Sequence, residues 1–214
     1  WRNDAEGSYG MTQKRLSEQL SDRLRELANI GCGYALSALS RMTDKEFFVR
    51  VPEIDLIGYD GMPGRLGDVE EEMVGVLLEI SGELSGLFLL LLKPEIASVL
   101  LSALNVAPPE SYRAMRERLQ SALLELGNIL CSAYMTAVSQ MTGLDIKLTP
   151  PSCAVDMLGA LLSEPLSRFA RLESLLLYIR SVFAVEGREW VGCMLFMPEL
   201  DAADLLGQRL GALL

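Results

Sequence analysis

One short polar pattern occurs twice in this chain, and the repeat limits what the chain can fold into. Asp22-x-x-x-Glu26-x-x-Asn29 lies in SDRLRELANIGCGYALSALS, and Ser121-x-x-x-Glu125-x-x-Asn128 lies in QSALLELGNILCSAYMTAVS. The three pairs are each 99 residues apart, as are Cys32/Cys131 and Tyr34/Ala133. A long repeat that keeps its polar residues in step implies a duplicated unit with two equivalent sites. The fold must then place two copies of one plan within 214 residues.

Both segments read as helices, rich in Leu, Ala, Glu and Arg and free of internal proline. At about 100° per residue, positions i, i+4 and i+7 share a narrow stripe. Asp22, Glu26 and Asn29 therefore point one way, as do Ser121, Glu125 and Asn128. Leu24, Leu27, Ala28 and Gly31 fall on the opposite side, matched by Leu123, Leu126, Gly127 and Leu130. The apolar side can pack on a core while the stripe faces solvent or a partner.

Asn29 and Asn128 are the informative residues. Asn in mid-helix competes with the backbone for hydrogen bonds, so an ordinary solvated face prefers Lys, Glu, Gln or Arg. A single E-x-x-N is a commonplace surface spacing. Two copies inside matching L-x-E-L-x-N-I cores are not.

Composition narrows the chemistry. Half the residues are hydrophobic, enough for one compact domain or two intimately fused halves. There is no histidine, which removes His metal ligands and Ser-His or Cys-His nucleophiles. Cys32, Cys131, Cys153 and Cys193 form no C-x-x-C pair and sit among apolar neighbours. They read as buried free thiols in a reducing cytoplasm. A net charge of −10 argues against nucleic acid. The longest apolar stretch, Leu84–Leu92, is too short to span a membrane. The polar residues 1–10 read as a disordered tail or an expression remnant, with Met11 a plausible native start.

The remaining segments repeat in a common order. A first helix over about 14–42 is followed by a strand, Lys45–Ile57, in which Pro52 demands an edge or a bulge. The apolar runs Met73–Ile80 and Leu84–Leu92 form a hairpin around Ser81-Gly82-Glu83, buried on both faces or covered by helices. Pro94 opens a short helix to about Leu104, and Asn105–Pro109 is a linker. The second half offers a helix from about Glu110 to Thr142, ended by Gly143, and a strand Leu144–Thr149. An additional amphipathic helix over Val155–Leu166 follows. Next come a second hairpin, Leu175–Val185 with Trp190–Met197, and a final helix opened by Pro198-Glu199. The pattern predicts an α/β fold of the α+β type: a pseudo-twofold domain with a mostly antiparallel sheet and two symmetry-related long helices. Its homologous halves are about 11–107 and 108–214. Gly31, Gly33 and Gly127 lie inside helices and serve close packing rather than a phosphate loop.

The paired motif resembles that of the CheC-type phosphatases of bacterial and archaeal chemotaxis, relatives of CheX and FliY, whose pattern is [Asp/Ser]-x3-Glu-x2-Asn. The resemblance extends to E-x-x-N-I-G in the first helix and N-I-x-C in the second. It also includes T-P-P at Thr149–Pro151 and V-D-M at Val155–Met157. It implies a substrate: a CheY-type response regulator phosphorylated on aspartate, which brings its own Mg²⁺ and lysine. The chain would need no cofactor or metal of its own. Asn29 and Asn128 would orient the attacking water, and Glu26 and Glu125 would pair with the regulator's lysine. Asp22 and Ser121 would support docking, or merely cap and solvate the face. A second implied partner is the deamidase CheD, with Asp156 as its candidate contact. The bland reading of Asp156 is a charge at a helix N-terminus.

Other readings stand beside this one. The chain could be a non-catalytic adaptor for the regulator or CheD. It could be a flagellar-switch component like FliY, which is disfavoured because the chain ends soon after its last helix. A CheX-like protein is expected to carry one motif and to dimerise. Two motifs in one chain let internal symmetry replace dimerisation, so a cytoplasmic monomer is expected, without nucleic-acid or membrane partners.

Overall fold

In the computed structural model, residues 3–58, 65–94, 112–169, 175–185 and 188–211 are described. The first half supplies α1 (Asn3–Thr43), β1 (Phe47–Gly58), β2 (Glu72–Gly82) and β3 (Gly86–Leu92). The second supplies α2 (Tyr112–Thr142), β4 (Ile146–Leu148), β5 (Ser152–Met157), α3 (Leu158–Phe169), β6 (Leu175–Val185), β7 (Arg188–Pro198) and α4 (Leu200–Gly211).

The strands form one sheet in the order β1-β6-β7-β3-β2-β4, with β5 also paired to β2 and every pairing antiparallel. The hairpins β2–β3 and β6–β7 meet through β3 and β7 at the centre. The leading strand of each half pairs with the other half's hairpin: β1 lies on β6, and β4 on β2. The halves therefore interlock, and neither closes its sheet alone. β1 carries an irregularity between Arg50 and Glu53, spanning Pro52, whose missing N–H cannot join the ladder.

The run GLFLLLL of β3 is buried from end to end because helices cover both faces of the sheet. Alternation divides its side chains. Phe88, Leu90 and Leu92 enter the core beneath α1, α2 and α4. Leu87, Leu89 and Leu91 enter a smaller core capped by α3. Each fully buried Leu or Phe contributes roughly 1.5–3 kcal/mol. α3, which has no counterpart among the described residues of the first half, covers this second face: Leu158 and Leu162 are its buried contacts.

α1 and α2 pack against each other on the opposite face. Leu24 and Leu27 meet Tyr134, Met135 and Val138, whereas Ser37, Ala38 and Arg41 lie beside Asn128, Ile129 and Ser132. Rising numbers on one helix meet falling numbers on the other, so the pair is antiparallel. Its ends repeat as well as its motifs. Thr43 Oγ1 donates to the Leu39 carbonyl (2.8 Å) and Thr142 Oγ1 to the Val138 carbonyl (2.6 Å). Both helices then terminate in a left-handed residue, Asp44 (φ 54°) and Gly143 (φ 72°).

Several expectations shift. α1 begins at Asn3, so 3–10 are helical where a tail was expected. Val155–Met157 belongs to β5, and the helix starts only at Leu158, because this stretch continues the ladder with β2 (Val74↔Val155). Gln120–Thr142 reaches the length and apolarity of a membrane span, contrary to the expectation that nothing would. Over half of that stretch (56%) is buried inside the fold, so the core accounts for its composition. The expected helix after Pro94 and the linker at Asn105–Pro109 lie outside the described residues, apart from Pro94 itself.

Candidate functional site

The stripe follows from how the two helices satisfy their apolar sides. Leu24, Leu27, Ala28, Leu123, Leu126 and Leu130 are all at most 5% exposed, which leaves the i, i+4, i+7 polar positions on the outer side. Asp22, Glu26, Asn29, Ser121 and Glu125 are exposed, and Asn128 is half-buried. Two glycines permit the close packing. A Cβ on Gly31 would lie 2.6 Å from Cδ1 of Tyr134, and one on Gly127 would lie 2.5 Å from Cγ1 of Val76.

Below the stripes sits a small buried polar cluster. The Cys32 thiol and the Tyr134 hydroxyl are 2.6 Å apart, and Ser181 Oγ on β6 is 3.9 Å from the same sulfur. Burial pushes the Cys32 thiol and the Tyr134 hydroxyl up, so both stay neutral. Burial alone pushes the Cys131 thiol up. All four cysteines are free, but Cys153 and Cys193 are only half-buried. Neutral, desolvated thiols are poor nucleophiles; these pack and bond rather than react.

The two stripes differ in their surroundings. In the first, Arg23 Nη1 lies 3.0 Å from Glu26 Oε2, and Arg25 Nη1 lies 3.5 Å from Asp22 Oδ1. In the second, Asn128 borders a groove of about 650 Å³ between α1 and α2. Arg41, Ser37 and Tyr34 line it from α1, with Ser132, Thr136 and Gln140 from α2. Tyr34 Oη donates across it to Gln140 Oε1 (2.6 Å). Motif reading did not find Arg41 and Gln140. Their separation of 99 residues was available as a signal, because they occupy equivalent places about three and a third turns beyond the asparagines.

Asp156 stands apart from both stripes, on β5 of the sheet. It is exposed between Val155 and Met157, which are 50% and 55% exposed. Its Oδ1 accepts from the Met157 N–H (2.8 Å), so it shapes the strand-to-helix junction. Among the described residues no group of three or more His, Cys, Asp or Glu side chains converges to hold a metal ion. The arrangement offers amide and carboxylate groups on a rigid face. These can position a water and dock a cation.

Comparison with known proteins agrees with this geometry. A family model described as CheC-like matches residues 21–55 and 120–153, the two motif segments with the strands that follow. The CheY-P phosphatase CheC of Bacillus subtilis (strain 168) is 29% identical over 201 residues, covering 92% of this chain and 96% of that protein. The crystal structure of Thermotoga maritima FliY superposes with a TM-score of 0.69 at 18% identity, covering 90% of this chain and 96% of that one. The CheX–CheY–BeF3–Mg complex from Borrelia burgdorferi gives a TM-score of 0.52 at 18% identity, covering 80% and 97%. The chain is thus similar to the CheC-like family at both Glu–Asn stripes, and shares its fold with these structures.

Proposed function

We propose that this protein accelerates dephosphorylation of a phosphorylated CheY-type response regulator. The observation that carries the reading is the pair of outward Glu–Asn stripes, each one helical turn long and each held on a helix whose opposite side is locked in the core. The similarity to a CheY-P phosphatase over nearly the whole chain supports it.

An aspartyl phosphate is already an activated acyl phosphate, and phosphoryl transfer through a loose transition state relies mainly on positioning and electrostatics. The amide of Asn29 or Asn128 can accept from a water through its oxygen and donate through its nitrogen, fixing that water in line with the phosphorus. Glu26 or Glu125 would pair with the regulator's lysine and set the docking register. Asp22 and Ser121 support the docked surface. The regulator brings Mg²⁺; the phosphatase contributes no metal or cofactor, and acts as a cytoplasmic monomer. Replacing Asn29 and Asn128 together by Ala should return the regulator to its own rate of phosphate loss with the fold intact by circular dichroism. Each single variant should keep part of the acceleration. A double variant as active as the parent would remove the assignment.

A separate surface is proposed for CheD. Val155 and Met157 expose apolar area on either side of Asp156, and β5 pairs only with β2 among the described strands. Apolar area around one charge on a sheet edge suits a protein partner.

A further inference from the structure

The duplicated halves carry different charges where the two stripes meet the neighbouring helix. The 99-residue offset that pairs Asn29 with Asn128 also pairs Gln140 with Arg41 and Ala133 with Tyr34. Because α1 and α2 run antiparallel, the Arg41 end of α1 lies beside Asn128, and the two line one groove. Gln140 lines the same groove and accepts from Tyr34 Oη. Asn128 is thus accompanied by a cation from the opposite helix, and the residue that repeats Arg41 in the second half is a neutral amide.

The second stripe also holds its charges free. Among the described residues, Arg41 and Glu125 form no ion pair. At the first stripe Glu26 is engaged by Arg23, and Asp22 by Arg25. The chain carries a net charge of −10, so a phosphorylated, anionic surface approaching either stripe meets repulsion unless a local cation offsets it. An exposed guanidinium beside Asn128 can do so, with planar donors matched to phosphoryl or carboxylate oxygens.

We propose that Arg41 is a substrate-binding residue of the Asn128 site, supplied in trans by the first helix, and that it makes the two sites unequal. This rests on the phosphatase reading. Arg41 contacts an anionic group of the docked phosphorylated regulator. The Asn128 site therefore binds that regulator more tightly, because Arg41 is unpaired there among the described residues, whereas Arg23 and Arg25 at the Asn29 stripe are already engaged by Glu26 and Asp22.

Single-site variants test this. N29A leaves only the Asn128 site, and N128A only the Asn29 site. The probe is the phosphorylated CheY-type regulator of the same organism, followed by equilibrium titration and by phosphate release. In the N29A background, R41Q should weaken binding and raise KM about tenfold, with kcat changed less than twofold. It should also flatten the dependence of binding on salt, which a merely structural role would not do, and R41K should restore part of the affinity. In the N128A background R41Q should change nothing. Equal effects of R41Q in both backgrounds, or none in either, in a protein that binds and turns over the regulator, would overturn the role of Arg41 alone. A parent protein that neither binds the regulator nor speeds its phosphate loss would overturn the phosphatase reading, and this inference with it.

Discussion

Gly31 and Gly33 lie two residues apart on α1, yet replacing them by Ala should shift stability in opposite directions. A methyl at Gly31 would stand 2.6–2.9 Å from three ring carbons of Tyr134, roughly 1 Å inside a normal carbon contact. The ring cannot easily give: Tyr134 is 1% exposed, and its hydroxyl is held by Cys32. Overpacking costs about 1–3 kcal/mol, and overlap with three carbons of a rigid ring puts this site at about 2–3 kcal/mol; the gain in helix propensity from Gly to Ala offsets about 1 kcal/mol. A net loss of about 1–2 kcal/mol follows. At Gly33 nothing lies within 4 Å of the added methyl, so only the propensity gain remains, up to about 1 kcal/mol. Urea unfolding checks both. With a slope of about 2 kcal/mol/M, G31A should lower the midpoint by about 0.5–1 M and G33A should raise it by up to about 0.5 M. Midpoints that move together, or a G31A protein as stable as the parent, would refute the claim that Tyr134 sets the separation of the two helices.

Other outcomes follow from the same contacts. Tyr134→Phe removes the oxygen facing Cys32 Sγ and should cost about 1–2 kcal/mol in urea unfolding by leaving buried polar groups short of a partner. Arg168 joins Glu79 and Glu199, each at 2.9 Å. Arg168 and Ser85 hold Glu199 below its usual 4.5. The stability this adds is full above about pH 4.5 and is lost as pH falls through the lowered value. R168Q should therefore differ from the parent at pH 6 and converge with it near pH 3. The side chains are exposed, so the difference should stay under about 1 kcal/mol. Asp156→Lys should reduce capture of CheD in a pull-down, and undiminished capture would dismiss that position.

The chain's covalent order already determined much of this molecule. Helices at the two motifs, their buried sides, the hairpins Met73–Leu92 and Leu175–Met197, and the Gly143 stop were all legible, because each rests on local periodicity or on one residue's backbone preference. So was the candidate site in outline, since i, i+4, i+7 spacing fixes which side chains share a helix face. The strand at Val155–Met157 was not, because its pairing with Val74 lies some eighty residues away and its local pattern also suits a helix. The partnership of the halves was equally invisible. That β1 completes the sheet on β6, and β4 on β2, depends on which edges meet once both hairpins exist. The same long-range packing brings Arg41 of one copy beside Asn128 of the other. Repetition in a sequence tells that two sites share a design; only the antiparallel contact of α1 with α2 decides what stands across from each, because that neighbour comes from the opposite copy, where the residues have diverged.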